Sequence, residues 1–330
     1  MKYHPVELAV ARHLGRKPDI HVLIPLEASI KGVIDTGLHV YRNLLVRNWW
    51  RLVYGLLRGS NVSMTVSDGS IRTMRVTGTY PRAVTHVYFG NGDTPPSWDD
   101  YWLSGSATGN GDEVSPNYSE TASQAKLEFG RQVNAEGVRE VILYQPAYDT
   151  VGNVRDVMYA RRVLSSEPAV GSTVKHSILI GSPWTRQFMC ELYAMLAYTD
   201  FGSTVGCKDI NGNSFDVRHT APYGGAVTMY LGTGTAGWSL GDYVLTDAFT
   251  IPQQYLSAVE SGYLYLTTIG VKRVEADVTI GELGWYNYIY DAGGQSHRCL
   301  VNRVVLDSPL SKSANEILSA ALTLYVYAGS

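Results

Sequence analysis

Carboxylates and glycines crowd one short stretch of this 330-residue chain, so its chemistry is sought there first. Asp93, Asp99, Asp100, Asp112 and Glu113 lie close enough in sequence to suggest a calcium loop or a general acid/base pair. A related stretch begins at Gly232, where Thr235 stands for Asp93 and Gly241 for Asp99, leaving Asp242 as the counterpart of Asp100. What recurs is a single aspartate, the residue type of a loop cap rather than of a cation cage. Asp100 and Asp242 are therefore read as structural caps, and a cation held by Asp93, Asp99 and Asp100 stays open as the alternative.

The loops Gly90-Asn91-Gly92-Asp93 and Gly232-Thr233-Gly234-Thr235 resemble fragments of phosphate-binding motifs. A dinucleotide site needs a third glycine opening a helix, and a P-loop ends in Gly-Lys-Ser/Thr; both loops lack these, so tight turns are expected. His4, His13, His21, His39, His86, His176, His219 and His297 show no paired ligand spacing, and there is no Gly-x-Ser-x-Gly elbow. Cys190, Cys207 and Cys299 are odd in number and far apart, which signals buried free thiols rather than a zinc site or a disulfide framework. Asn61-Val62-Ser63 and Asn117-Tyr118-Ser119 are formal glycosylation acceptors, meaningful only on secretion. Trp98, Tyr101, Trp102, Trp238 and Tyr243 offer rings for stacking on sugars, with packing at a domain or subunit contact as the commoner use. No catalytic, cofactor-binding or metal-binding residue is assigned.

The elements that position these residues come in two sets. A shift of 144 lays Ile34 on Ile178, Arg42 on Arg186, Trp49 on Tyr193 and Leu52 on Leu196. At 143, Gly69, Met74 and Arg75 meet Gly212, Val217 and Arg218. At 142, VYFGNGDTPPSWDDYWL from Val87 lies over MYLGTGTAGWSLGDYVL from Met229, and Glu140, Tyr144, Tyr148 and Asp149 meet Glu282, Tyr286, Tyr290 and Asp291. At 141, Arg162-Val163 and Pro168 meet Arg303-Val304 and Pro309. Ordered matches with a slowly drifting offset point to internal duplication. The expected organisation is an N-terminal arm over 1–27, one β domain over 28–171 and a second over 172–330.

Each copy is expected to open with a strand, over Ala28–Ile34 and Thr173–Ile180, followed by an amphipathic helix. Tyr41, Leu45, Trp49, Leu52 and Leu56 form the first apolar stripe; Trp184, Phe188, Leu192 and Met195 form the second, with Ser182 as N-cap and Pro183 at the first helical position. Turn signals at Ser67-Asp68-Gly69 and Asn211-Gly212-Asn213 mark hairpins. Further strands are expected over Gln124–Phe129, Arg139–Tyr144, Tyr159–Leu164, Tyr263–Ile269, Val271–Ile280 and Leu318–Tyr327. The resulting fold class is mainly β: two tandem jelly-roll-like or sandwich domains, each with one covering amphipathic helix. In the arm, a short helix from Pro5 and a strand-like His21-Val22-Leu23-Ile24 are expected, the latter docking on another subunit.

Composition agrees with β structure: 23 tyrosines and 33 glycines suit strands joined by tight turns. A net charge of −3 gives no global pull toward nucleic acid, although residues 1–60 carry nine Lys/Arg against four Asp/Glu and 61–130 carry four against eight. The basic N-terminal region is read as a solvated face, with nucleic acid contact as the alternative. Apolar stretches near Leu44–Leu57 and Phe188–Ala197 are interrupted by Arg47, Arg51 or Glu191 and fall short of the ~20 residues of a membrane span. The N-terminus carries no secretory pattern, so a chain made in the cytoplasm is expected.

FGNGDTPPSWDDYWL and its copy LGTGTAGWSLGDYVL resemble a pattern in structural proteins of tailed phages and archaeal viruses, a Gly-x-Gly-Thr-x-Pro-x-Ser-x-x-Asp-x-x-Leu loop. It is followed there by an element similar to Glu282-Leu283-Gly284-Trp285-Tyr286. Ile142 stands where that pattern has glycine, and Ala236-Gly237 where it has proline. The resemblance implies a capsid, tail, baseplate or fibre subunit of a virion that self-assembles with copies of itself and other virion proteins, without catalysis or cofactors. Two other classes stay in view: a glycan- or ligand-binding β module, and an enzyme of unfamiliar type.

Overall fold

The computed structural model describes residues 20–27, 30–37, 39–76, 85–108, 116–197, 206–217, 227–250, 253–260, 263–273, 277–314 and 316–327. The chain is mainly β, with two described helices. In order, the elements are β1 (Ile20–Glu27), β2 (Ile30–Asp35), β3 (Val40–Leu45), α1 (Arg47–Arg58), β4 (Val62–Thr65), β5 (Ile71–Met74), β6 (His86–Gly90), β7 (Asn117–Glu120), β8 (Gln124–Gln132), β9 (Glu140–Tyr148), β10 (Val154–Val163) and β11 (Thr173–Gly181). Next come α2 (Arg186–Leu196), β12 (Cys207–Lys208), β13 (Ser214–Phe215), β14 (Thr228–Gly232), β15 (Phe249–Thr250), β16 (Gln253–Glu260), β17 (Tyr263–Arg273), β18 (Val278–Tyr290), β19 (Ser296–Lys312) and β20 (Ile317–Tyr327).

One eight-stranded sheet runs β6-β9-β10-β3-β2-β11-β8-β7, and a four-stranded sheet runs β15-β14-β18-β19. The first sheet curls until Arg131 on β8 donates to the carbonyl of Val87 on β6 at 2.6 Å. Three strands of each sheet obey the same register: Gly90 pairs with Glu140 as Gly232 pairs with Glu282. A bulge at Tyr159 on β10 reappears at Val301 on β19. Each bulged carbonyl accepts the N–H of the residue that precedes a helix, Val46 in one case and Thr185 in the other. The extra residue of a bulge bends its strand and redirects the side chains around it, and here it hands the chain from sheet to helix.

The first helix departs from its expected stripe. Tyr41 and Leu45 lie in β3, which pairs with β2 and β10, so the helical face begins at Trp49 and continues through Leu52, Val53 and Leu56, all buried. Spacing of four is shared by helices and by strand residues facing one side, and two flanking ladders decide for the strand. Gly59 ends the helix in the left-handed region, φ 68°, a conformation that favours glycine. In the second helix, Thr185 is the N-cap, while Ser182 and Pro183 form the preceding turn, which corrects their expected places. Bonds to the bulge also set the correspondence of the helices. Arg47 N–H donates to the Trp98 carbonyl and Arg186 N–H to that of Leu240, so Trp49 corresponds to Phe188, not to Tyr193.

The main apolar core among the described residues draws on both halves: Trp49, Phe89 and Leu143 share it with Trp184, Phe188, Leu231 and Trp285. The expected boundary at 171/172 falls just before β11, an interior strand bonded to β2 and β8. The helix ends are exchanged between halves. Thr85 N–H donates to Leu196 O of α2 (3.1 Å) and Val227 N–H to Leu57 O of α1 (2.8 Å). Gln145 of β9 reaches Met195 O (2.7 Å), and Asn287 of β18 lies 3.5 Å from Leu56 O. Terminal carbonyls of a helix lack partners within it, and each half supplies them to the other, the reciprocity of an isologous contact.

His21–Ile24 does form strand, within β1, but β1 pairs in parallel with β20 of the same chain, from Ile20 against Leu318 to Glu27 against Tyr325. That edge is thus filled in cis, and the expected helix from Pro5 lies outside the described residues. Val271–Ile280 is divided between β17 and β18; the remaining expected strands coincide with β2, β8, β9, β10, β11, β17 and β20.

Candidate functional site

The glycine loops end in a buried ionic lock. β6 delivers Gly90 opposite Glu140, the first residue of β9, and the bulge at Tyr159 turns Arg161 toward the same point. Arg161 donates from Nε to Glu140 Oε2 (2.9 Å), from Nη1 to Asp100 Oδ2 (2.6 Å) and from Nη2 to the Thr94 carbonyl (2.7 Å). Glu140 accepts further bonds from the N–H groups of Gly92 (3.1 Å), Ser104 (3.1 Å) and Gly105 (2.9 Å), and from the Ser104 hydroxyl (3.1 Å). Asp100 also accepts from Ser97 N–H at 2.8 Å. Burial pushes the Glu140 carboxyl up, but the Gly105 and Ser104 N–H groups and Arg161 outweigh it and hold the group below the ordinary carboxylate range.

The second half repeats this lock. Arg303 donates to Glu282 Oε2 (2.5 Å), Asp242 Oδ2 (2.8 Å) and the Ala236 carbonyl (2.9 Å). Thr246 N–H bonds Glu282 Oε1 (2.5 Å), and Ser239 N–H bonds Asp242 (2.8 Å). The glycines are required by the close approach of backbone to a carboxylate. A Cβ on Gly92 would sit 2.0 Å from Ser104 Oγ and 2.4 Å from Glu140 Oε1; one on Gly234 would sit 2.5 Å from Glu282 Oε1. Buried ions demand full pairing, and here each lock satisfies a guanidinium, two carboxylates and the loop backbone together.

The sequence-predicted residues fare differently. Asp100 and Asp242 are loop caps, as expected, and also arginine partners. Asp99 is drawn away to Arg47 (2.7 Å), and Asp93 is exposed; Asp112 and Glu113 lie outside the described residues. The carboxylates of Asp99 and Asp100 are therefore held by different arginines. Among the described residues no group of three or more His, Cys, Asp and Glu is arranged to hold a metal ion. Glu140, Glu282, Arg161 and Arg303 were given no role by the sequence. The glutamates were visible as a matched pair at a shift of 142, whereas the shift of 141 put Arg162 rather than Arg161 on Arg303.

Other candidates are absorbed by packing. Cys190, Cys207 and Cys299 are free, buried and gathered into one cluster with Ile289; burial pushes their thiols up, away from the reactive thiolate. His176 is fully buried on β11, which holds it neutral down to about 3. His297 lies between Asp291 (3.0 Å) and Asp209 (3.6 Å) and stacks on Phe215. His39 is exposed; His4, His13 and His219 lie outside the described residues. Trp98 is buried and Trp238 packs against the core, while Tyr101 and Tyr243 lie against the turn glycines Gly69 and Gly212. Trp102 packs with Tyr88 and Tyr144.

Among the described residues no helix is long and apolar enough to cross a membrane. No family model, curated protein or solved structure matches this chain.

Proposed function

We propose that this chain is a structural subunit of a virus particle, made in the host cytoplasm, which works by assembling with further copies and other virion proteins rather than by catalysis. One observation carries the reading: both repeated motif aspartates are paired with a buried arginine, beside a buried glutamate. Side chains so committed hold a loop in shape and leave no nucleophile or base at the motif. The link to virions is the resemblance of that motif to phage and archaeal-virus structural proteins. Within the same proposal, the unit is a jelly-roll-like or sandwich domain used twice, β6-β9-β10 and β14-β18-β19 each with its helix. Strands β1, β16 and β7 end their sheets and offer backbone edges for pairing between subunits. Electron microscopy of the purified full chain tests it: regular shells, rings or tubes are expected, and dispersed single molecules at every concentration would overturn it.

A further inference from the structure

The outer face of the first sheet carries an aromatic surface that its counterpart in the second half lacks. His86 and Tyr88 of β6, Tyr144 of β9, Asp156 of β10 and Trp102 from the loop after β6 meet there, all half-buried. Trp102 meets Tyr144 edge-on at 5.1 Å, His86 stacks on Tyr144 at 5.2 Å, and Tyr88 lies 5.6 Å from Tyr144. The corresponding residues of the second half are Thr228, Tyr230, Val244, Tyr286 and Arg298. That face is closed: the Tyr286 hydroxyl accepts Leu245 N–H at 2.8 Å, Tyr286 is 3% exposed, and Arg298 donates to the Tyr230 hydroxyl at 2.9 Å.

In the first half the arginine is replaced by an acid and the valine by a tryptophan. Neither Tyr hydroxyl, nor the Asp156 carboxylate, has a hydrogen-bond partner among the described residues. Burial pushes the Asp156 carboxyl up. None of these oxygens is sealed away from solvent, so all three are open to the hydroxyls of a ligand, and the second half shows that the fold does not require them.

We infer that this face binds a neutral carbohydrate, whose C–H face packs on Trp102 and Tyr144 while its hydroxyls bond Asp156, Tyr88 and Tyr144. Aromatic rings beside an acceptor-only carboxylate and two donor/acceptor hydroxyls match the mixed surface of a pyranose. A cationic ligand fits less well, because the Arg131 guanidinium already lies 5.5 Å from the Tyr88 ring centroid and His86 adjoins. The inference does not depend on the assembly proposal.

Saturation-transfer NMR on the full chain, with cellohexaose, maltohexaose and chitohexaose as probes at millimolar concentration, tests it. At least one probe is expected to receive saturation, and Trp102→Val with Asp156→Arg, the residues that the second half uses, is expected to abolish the signal while leaving the circular dichroism unchanged. Should that pair unfold, Asp156→Asn alone is expected to weaken binding about tenfold. No transfer to any probe, transfer that survives these substitutions, or displacement of the sugar by choline would overturn the inference.

Discussion

Replacing Gly92 with alanine strikes the lock at its tightest point. The added Cβ would lie 2.0 Å from Ser104 Oγ, 2.4 Å from Glu140 Oε1 and 2.6 Å from the Gly105 nitrogen. Normal contact requires more than a further ångström, and Glu140 is 0% exposed, so it has nowhere to retreat. Overpacking of this kind costs about 1–3 kcal/mol, and displacing the carboxylate weakens charge-assisted bonds that contribute about 1.5–3 kcal/mol each. The expected loss is therefore about 4 kcal/mol, in the range where a specific mechanism is required. Gly152 is the control: its φ is 96°, yet a Cβ there meets nothing within 4 Å, so Gly152→Ala should cost only about 1 kcal/mol of backbone strain. Urea unfolding followed by tryptophan fluorescence and circular dichroism measures both. Gly234→Ala, with 2.5 Å to Glu282 Oε1, should resemble Gly92→Ala. Equal small losses at positions 92 and 152 would refute the reasoning.

Three further outcomes rest on contacts of the same kind. Arg161→Met should destabilise by about 3–5 kcal/mol, because it strands the buried Glu140 beside Asp100, and adding Glu140→Gln should restore part of that loss in a double-mutant cycle. Glu191 is fully buried, with Asn287 on Oε1 at 2.7 Å and no partner on Oε2, and burial pushes its carboxyl well above 4.5. A raised folded value gives stability that is present below 4.5 and declines as pH rises, by up to about 1.4 kcal/mol per pH unit until the buried group ionises. Glu191→Gln should thus stabilise the chain at pH 7 and flatten its stability between pH 5 and 7, seen in denaturation midpoints. His297 bonding, foremost, holds Asp291 below its ordinary range; such a group stabilises above the unfolded value and fails as pH falls. His297→Ala should therefore move the acid-unfolding midpoint to higher pH.

Legibility in the sequence tracked how local each cause is. Gly69 and Gly212 were readable as turns because positive φ is a property of one residue, and both are left-handed, at 80° and 82°. The glycine loops were readable as a pair but not as a lock. Their partner Arg161 is 21 residues from Glu140 and reaches it past a one-residue bulge, and Arg161 and Arg162 are adjacent arginines, either of which can be laid on Arg303. Tyr41 and Leu45 looked helical because a spacing of four fits either element, and only the ladders to β2 and β10 decide. The pairing of β1 with β20 joins the two ends of the sequence, a distance over which no periodicity carries information. Asp156 taken alone is an ordinary strand carboxylate; its meaning lies in the comparison with Arg298, which stands at the same shift of 142 with the opposite charge, and a mismatch between copies carries no repeat signal.

Hydrogen–deuterium exchange of the full chain bears most directly on the central claim, that the glycine loops are closed architecture rather than open ligand cradles. The N–H groups of Gly92, Ser104, Gly105 and Thr246 point at buried carboxylates, and exchange requires the lock to open. Peptides spanning 90–106 and 232–247 should therefore retain amides as slow to exchange as those of β9 and β18, with Gly92→Ala releasing the first set alone. Full exchange of both loops at the rate of unstructured peptide, with β9 and β18 still protected, would contradict it.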